Sequence, residues 1–115
     1  MTIGAGALRE RIAFDQRVEV DDGHGNTVGD FVEQFVVSAR VLPLKGSEAV
    51  QAARLGGQQP VVITIRMSRR ARAIGPDWRA RDTWTGTVYA ITAPPMNPDE
   101  RGQFLEILAV AGRAA

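Results

Sequence analysis

Residues 61–67 read Val-Val-Ile-Thr-Ile-Arg-Met, so Val61, Ile63, Ile65 and Met67 alternate with Val62, Thr64 and Arg66. Alternation with a period of two puts one face of an extended chain on a core and the other away from it, which predicts a strand. The pattern recurs along the chain. Leu8, Ile12, Phe14, Val18 and Val20 alternate with polar residues, although Glu10 falls on the apolar side, so this strand is expected to begin only near Arg11. Residues 31–42 place Phe31, Glu33, Phe35, Val37, Ala39 and Val41 on one face, a stretch long enough for one bent strand or two short ones. Pro43 ends it, because proline has no N–H to give a ladder. Residues 88–92 and 104–110 predict two further strands, with Gly86 permitting a tight turn after a short arm at 82–85.

Turn-forming residues punctuate these strands. Asp21-Asp22-Gly23-His24-Gly25-Asn26 predicts a hairpin tip, and Pro94, Pro95, Asn97 and Pro98 mark another turn region. Residues 68–78 are polar and irregular and read as a loop, while residues 1–7 and 111–115 read as flexible tails. One short helix is expected at about residues 47–55. Ser47 serves as N-cap, Glu48 sits at the positive end of the helix dipole, and Gly56-Gly57 supplies the stop. Its apolar side, Ala49, Val50, Ala52, Ala53 and Leu55, is small, so the helix can lie only shallowly on a sheet and is expected to be mobile or supported by a partner. Short strands, frequent turns and one helix predict a single all-β domain over 1–115, a small antiparallel β-barrel or sandwich.

At 115 residues the chain is long enough for one self-supporting core. It has no cysteine, which removes disulfides and thiolate metal sites. Its opening residues lack the basic head and apolar segment of a signal peptide, and its apolar runs are far too short for a membrane span, so a soluble protein is expected. Net charge is +1 but unevenly spread: residues 1–57 carry −2 and residues 58–115 carry +3. Of 14 basic residues only Lys45 is lysine, and guanidinium groups suit bidentate contacts with carboxylates or phosphates.

Catalytic chemistry finds little to work with. The one histidine, His24, lies between two glycines in the hairpin tip without an orienting group nearby. Asp21, Asp22 and Asn26 lack the spacing and the closing glutamate of a calcium loop, and neither Gly4-Ala5-Gly6 nor Gly23-His24-Gly25 links a strand to a helix as a phosphate-binding turn must. Asp99, Glu100 and Glu106 read as solvated charge. No enzyme, metal or cofactor is expected. The charged constellation above background is Arg66, Arg69, Arg70, Arg72, Arg79 and Arg81, suited either to a neighbouring subunit's carboxylates or to DNA phosphates lining a channel. Trp78 and Trp84 are expected in the core or at a subunit contact, as aromatics with a polar handle often are.

Several segments, in order, resemble the head-tail joining (head-completion or stopper) proteins of long-tailed phages, prophages and gene transfer agents. Leu8-Arg9-Glu10-Arg11-Ile12 is similar to that family's opening strand, and residues 21–26 to its Asp-Gly-rich first turn. Residues 38–44, Ser-Ala-Arg-Val-Leu-Pro-Leu, resemble the strand leading to the Gly46-x-Glu48 helix. Thr87-Val88-Tyr89-Ala90-Ile91 and residues 101–108 resemble its last two strands. The chain departs from the pattern in having Phe31 and Phe35 where a tryptophan is common, and in the Arg-rich segment at 68–78.

The resemblance implies a small β-barrel that forms a homo-oligomeric ring in the virion neck, with a portal-bound adaptor above and a tail terminator or tail tube protein below. Such a ring closes the DNA-filled head, docks the tail, passes double-stranded DNA without sequence preference, touches no membrane and assembles in the bacterial host cytoplasm. It further implies that residues 45–60 form a docking or gating segment, with Lys45, Gly46, Ser47, Glu48, Val50, Leu55, Gly56 and Gly57 as its working positions. Arg66, Arg69, Arg70 and Arg72 are then the candidate subunit or DNA-channel contacts. The alternative is an OB-type nucleic-acid-binding domain, which needs a groove lined with stacking aromatics.

Overall fold

The computed structural model describes residues 8–21, 23–96 and 103–112. Six strands and two short helices follow in the order β1 (Glu10–Asp21), β2 (Thr27–Pro43), α1 (Glu48–Leu55), β3 (Gln59–Arg66), α2 (Arg69–Arg72), β4 (Trp78–Asp82), β5 (Val88–Ile91) and β6 (Phe104–Ala111). The strands close into a barrel in the order β1-β2-β3-β6-β5-β4, and every pairing is antiparallel. Closure gives each strand two neighbours over part of its length, which removes the exposed edges that an open sheet would leave.

The alternating apolar residues supply the interior. Ile12 and Phe14 from β1, Ile63 and Ile65 from β3 and Ile107 from β6 are all but completely buried. Phe14, Phe35 and Trp78 run as a tilted aromatic stack, with ring centroids 5.3 Å and 6.2 Å apart. Helix α2 packs on the core through Ala71 and the following Ile74, both buried. Its N-cap is Ser68, whose Oγ accepts from Ala71 N at 3.0 Å.

Three details depart from expectation. Residues 68–78 are not a loop throughout: a four-residue helix forms at Arg69–Arg72, and Trp78 opens a strand. That strand, β4, has the burial order of a barrel wall, with Trp78, Ala80 and Asp82 inward and Arg79 and Arg81 outward. The arm expected at 82–85 is instead its end and a turn, where Asp82 Oδ1 accepts from Trp84 N at 2.8 Å and Thr85 N at 3.1 Å. Strand β6 includes Ala111, expected outside it, which pairs with Gln59 and Tyr89. Residues 1–7 and 113–115 lie outside the described residues.

The long strand β2 is a single strand bent by a bulge. Its pairing with β1 steps from Phe14↔Phe35 to Asp15↔Glu33, leaving Gln34 as the extra residue. An extra residue inverts the faces of everything beyond it. Phe35 and Ala39 therefore face the core as expected, whereas Phe31 and Glu33, expected on the same side, turn to the outer wall.

Candidate functional site

The helix α1 stands between β2 and β3 as an insertion in the barrel wall. Its caps are those expected: Ser47 Oγ accepts from Val50 N at 3.1 Å, and the chain leaves through Gly57 at a positive φ of 82°. Gly56 N donates to Ala52 O at 3.1 Å and Gln58 N to Ala53 O at 2.8 Å, closing the last turn. The base is tied by Leu44 N to Pro60 O at 2.9 Å and by the Gln59 side-chain amide, which donates to Leu44 O and Pro60 O. No residue of the helix is buried. The shallow packing expected of its small apolar residues is shallower still: Val50 and Ala53 are half-buried, and Leu55 is 91 % exposed. Lys45, Gly46, Ser47, Glu48, Gly56 and Gly57 are likewise exposed.

The six arginines grouped in the sequence are divided by the fold. Arg66 ends β3, and Arg69, Arg70 and Arg72 project from α2, all exposed. Arg70 lies over the Phe35 ring at 5.2 Å and Arg72 Nε donates to Met67 Sδ at 3.4 Å, and neither meets a carboxylate among the described residues. Beside Arg70 a groove of about 230 Å³ opens between α2 and the base of the β1–β2 hairpin, lined by Gln16, Gln34, Phe35, Ala73 and Trp78.

Arg79 and Arg81 belong to the outer wall of β4. There they converge on Asp15, which Arg79 Nε reaches at 2.7 Å and Arg81 through Nε and Nη2 at 3.3 Å each. Arg81 also holds Glu33 at 2.9 Å. Phe31 lies under Arg79 at 4.4 Å and Arg17 at 5.2 Å. Burial of Asp15 favours its neutral form, but the hydrogen bonds and charges of Arg81 and Arg79 outweigh that and hold the carboxyl below its ordinary value of 3.8. The same contact with Asp15, followed by Glu33, raises the Arg81 guanidinium. Asp15 went unnoticed in the sequence because it looks like any outward residue of a strand; the alternation Arg79-x-Arg81 was the available signal for an acidic partner.

His24 is exposed in the hairpin tip. Asp21 closes an Asx turn there, accepting from Gly23 N at 2.9 Å. Among the described residues no group of three or more His, Asp or Glu could hold a metal ion. Trp78 is core, and Trp84, at 69 % exposure, is a surface side chain on the β4–β5 turn. The chain therefore presents surfaces: an uncovered helix, an arginine-bearing helix beside a groove, and an ion-paired wall.

A family model described as "Phage head completion protein" matches residues 3–112. The chain belongs to the phage head completion proteins. Two solved structures share the fold of this head completion protein. Protein SF1141 from Shigella flexneri 2a, determined in solution, is 24% identical with a TM-score of 0.72, covering 98% of this chain and 100% of its own. A chain of the virion of a native gene transfer agent particle is 23% identical with a TM-score of 0.64, covering 94% of this chain and 97% of its own. Among curated proteins, none matches this head completion protein. No helix among its described residues is long and apolar enough to cross a membrane.

Proposed function

We propose that this protein joins head to tail in a phage or phage-like particle, as a ring in the neck that closes the filled head and offers the tail its docking surface. The match to the head completion family over residues 3–112 carries this reading, and the fold it shares with a chain of a gene transfer agent virion supports it. Binding, not turnover, is then the mechanism. The uncovered α1 with its flanks, residues 45–60, is the segment that meets an adjacent ring, the adaptor above or the tail protein below. A helix of eight residues without a buried side chain gains its stability from such a partner. Arg66, Arg69, Arg70 and Arg72 meet carboxylates of a neighbouring subunit, since a lumen of tightly phosphate-binding arginines would oppose passage of the genome. The particle assembles in the host cytoplasm.

The OB-type alternative lacks its platform. Stacking of successive bases needs several exposed aromatic rings, and Trp84 is the one aromatic side chain largely exposed among the described residues.

Deleting the gene from its phage or prophage and imaging the lysate tests the proposal. The expected lysate holds heads and tails that have not joined, with joining restored by the chain supplied in trans. Joined, DNA-filled particles without the chain would overturn it.

A further inference from the structure

Beyond Gln16 strand β1 has no neighbour except β2, because its pairing with β4 ends at Gln16↔Trp78. Strand β2 in turn meets β3 only from Ala39 onward. The five pairs from Arg17↔Phe31 to Asp21↔Thr27 therefore form a two-stranded arm, roughly 17 Å long at about 3.4 Å per residue. A two-stranded ribbon alone is marginally stable in water, so this one calls for a surface to rest on.

The register gives the arm a definite chemistry. Val18, Asp30 and Val32 share one face, the continuation of the face that is buried inside the barrel. Val32 is 44% exposed. Asp30 is exposed and its Oδ1 accepts from the adjacent Phe31 N, at 2.8 Å. Glu19 and Asp21 on the opposite face are also exposed, and neither has a cation among the described residues. The arm's one arginine, Arg17, lies over Phe31. The complementary surface is on the same chain. Among the described residues Arg69, Arg70 and Arg72 of α2 have no carboxylate partner, and beside Arg70 lies the groove walled by Phe35 and Trp78.

We infer that the arm of one copy docks on α2 and the adjoining groove of the next copy, its valines over the aromatic wall and the Asp30 carboxylate beside them on the arginines Arg69, Arg70 and Arg72. The occupant is a second copy because both charge-complementary surfaces occur once in every chain and, among the described residues, neither is paired with the opposite charge. A contact between two different surfaces of one chain is head-to-tail, and it closes into a ring when the rotation permits. The inference rests on the neck-ring reading and supplies its subunit contact.

The absence of cysteine makes the test clean. A full-length chain carrying both Asp30→Cys and Arg69→Cys is used to complement the deleted phage, and purified particles are run under non-reducing conditions. A ladder of disulfide-linked chains is expected from the double variant and not from either single one. Particles that contain the chain at wild-type amount but yield only monomer would overturn the arm contact and leave the neck reading standing. Particles without even the wild-type chain would overturn both. In parallel, Asp30→Arg should lower incorporation by roughly tenfold or more, since like charges are brought together at a contact. Adding Arg69→Glu and Arg72→Glu to the same chain should restore it, which misfolding could not do. Unchanged incorporation by the arm reversal, or failure of the paired reversal to restore it, counts against the contact.

Discussion

Asp15 and Arg79 stand opposite each other on β1 and β4, joined at 2.7 Å with the Asp15 side chain only 2% exposed. With Arg81 this contact sews the outer wall of the barrel next to the bulge at Gln34. Removing the carboxylate leaves two guanidinium groups facing each other, each about a third exposed and so partly relieved by water. Asp15→Ala should therefore destabilise the fold by about 1.5–3 kcal/mol, the range for hydrogen bonds to charged groups. Urea unfolding at pH 7 measures this.

The same group sets a pH dependence. The folded carboxyl lies below its ordinary value of 3.8, so its contribution is complete above that value and is lost as pH falls through the lower folded one. The stability gap between wild type and Asp15→Asn should stay constant from pH 7 down to about 4 and narrow below it. A gap that narrowed instead between pH 7 and 5 would show that another group controls this wall.

The helix α1 should behave as a unit apart from the barrel. Its amides should exchange fast in the isolated protein, and Ser47→Ala, which removes a cap worth about 1 kcal/mol to the helix, should leave global unfolding unchanged. Deleting Val50 through Leu55 should keep the barrel folded while blocking production of tailed particles. Normal tail joining by that deletion would remove α1 from the docking role.

Gly112 and Gly86 both have positive φ, 86° and 78°, but their surroundings differ. A Cβ on Gly112 would collide with the Gly57 carbonyl, whereas one on Gly86 meets open space. Gly86→Ala should cost only the left-handed backbone penalty of about 1–2 kcal/mol. Gly112→Ala should cost more, because it also pushes β6 away from the segment that follows α1. Paired denaturation curves decide the order.

The tryptophans offer a spectroscopic check. Trp78→Ala should destabilise by roughly 3–5 kcal/mol, and Trp84→Ala by no more than about 0.5. The fluorescence left by Trp78 alone should be blue-shifted relative to that of Trp84.

In isolation the protein should be mostly monomeric at micromolar concentration, since its described surface carries mixed charge and scattered apolar side chains. The ring then grows only on a neck already in place. Light scattering that found a stable closed ring of the purified chain would reject ordered assembly.

The sequence by itself determined the strands whose burial alternates and the helix whose caps are local. Residues 61–66 read as a strand because Val61, Ile63 and Ile65 recur at every second position, although Met67 falls just outside β3 and Thr64, on the other face, is also buried. Ser47 and Gly57 fixed α1 through bonds to backbone a few residues away. The ordered likeness to the head completion family was legible for the same reason, being made of such local segments. Tertiary structure decided the rest. Strand β4 is spelled Trp-Arg-Ala-Arg-Asp, and only closure of the barrel makes Ala80 an inward residue and gives its arginines Asp15. The bulge at Gln34 arises from pairing with β1, not from any turn residue, yet it turns Phe31 and Glu33 to the outer wall. The arginines look like one cluster along the chain. Helix α2 holds three of them and a strand of the barrel wall holds two others, so Arg79 and Arg81 face Asp15, 64 and 66 positions away, while Arg70 lies over Phe35 and Arg72 reaches only Met67, five positions away.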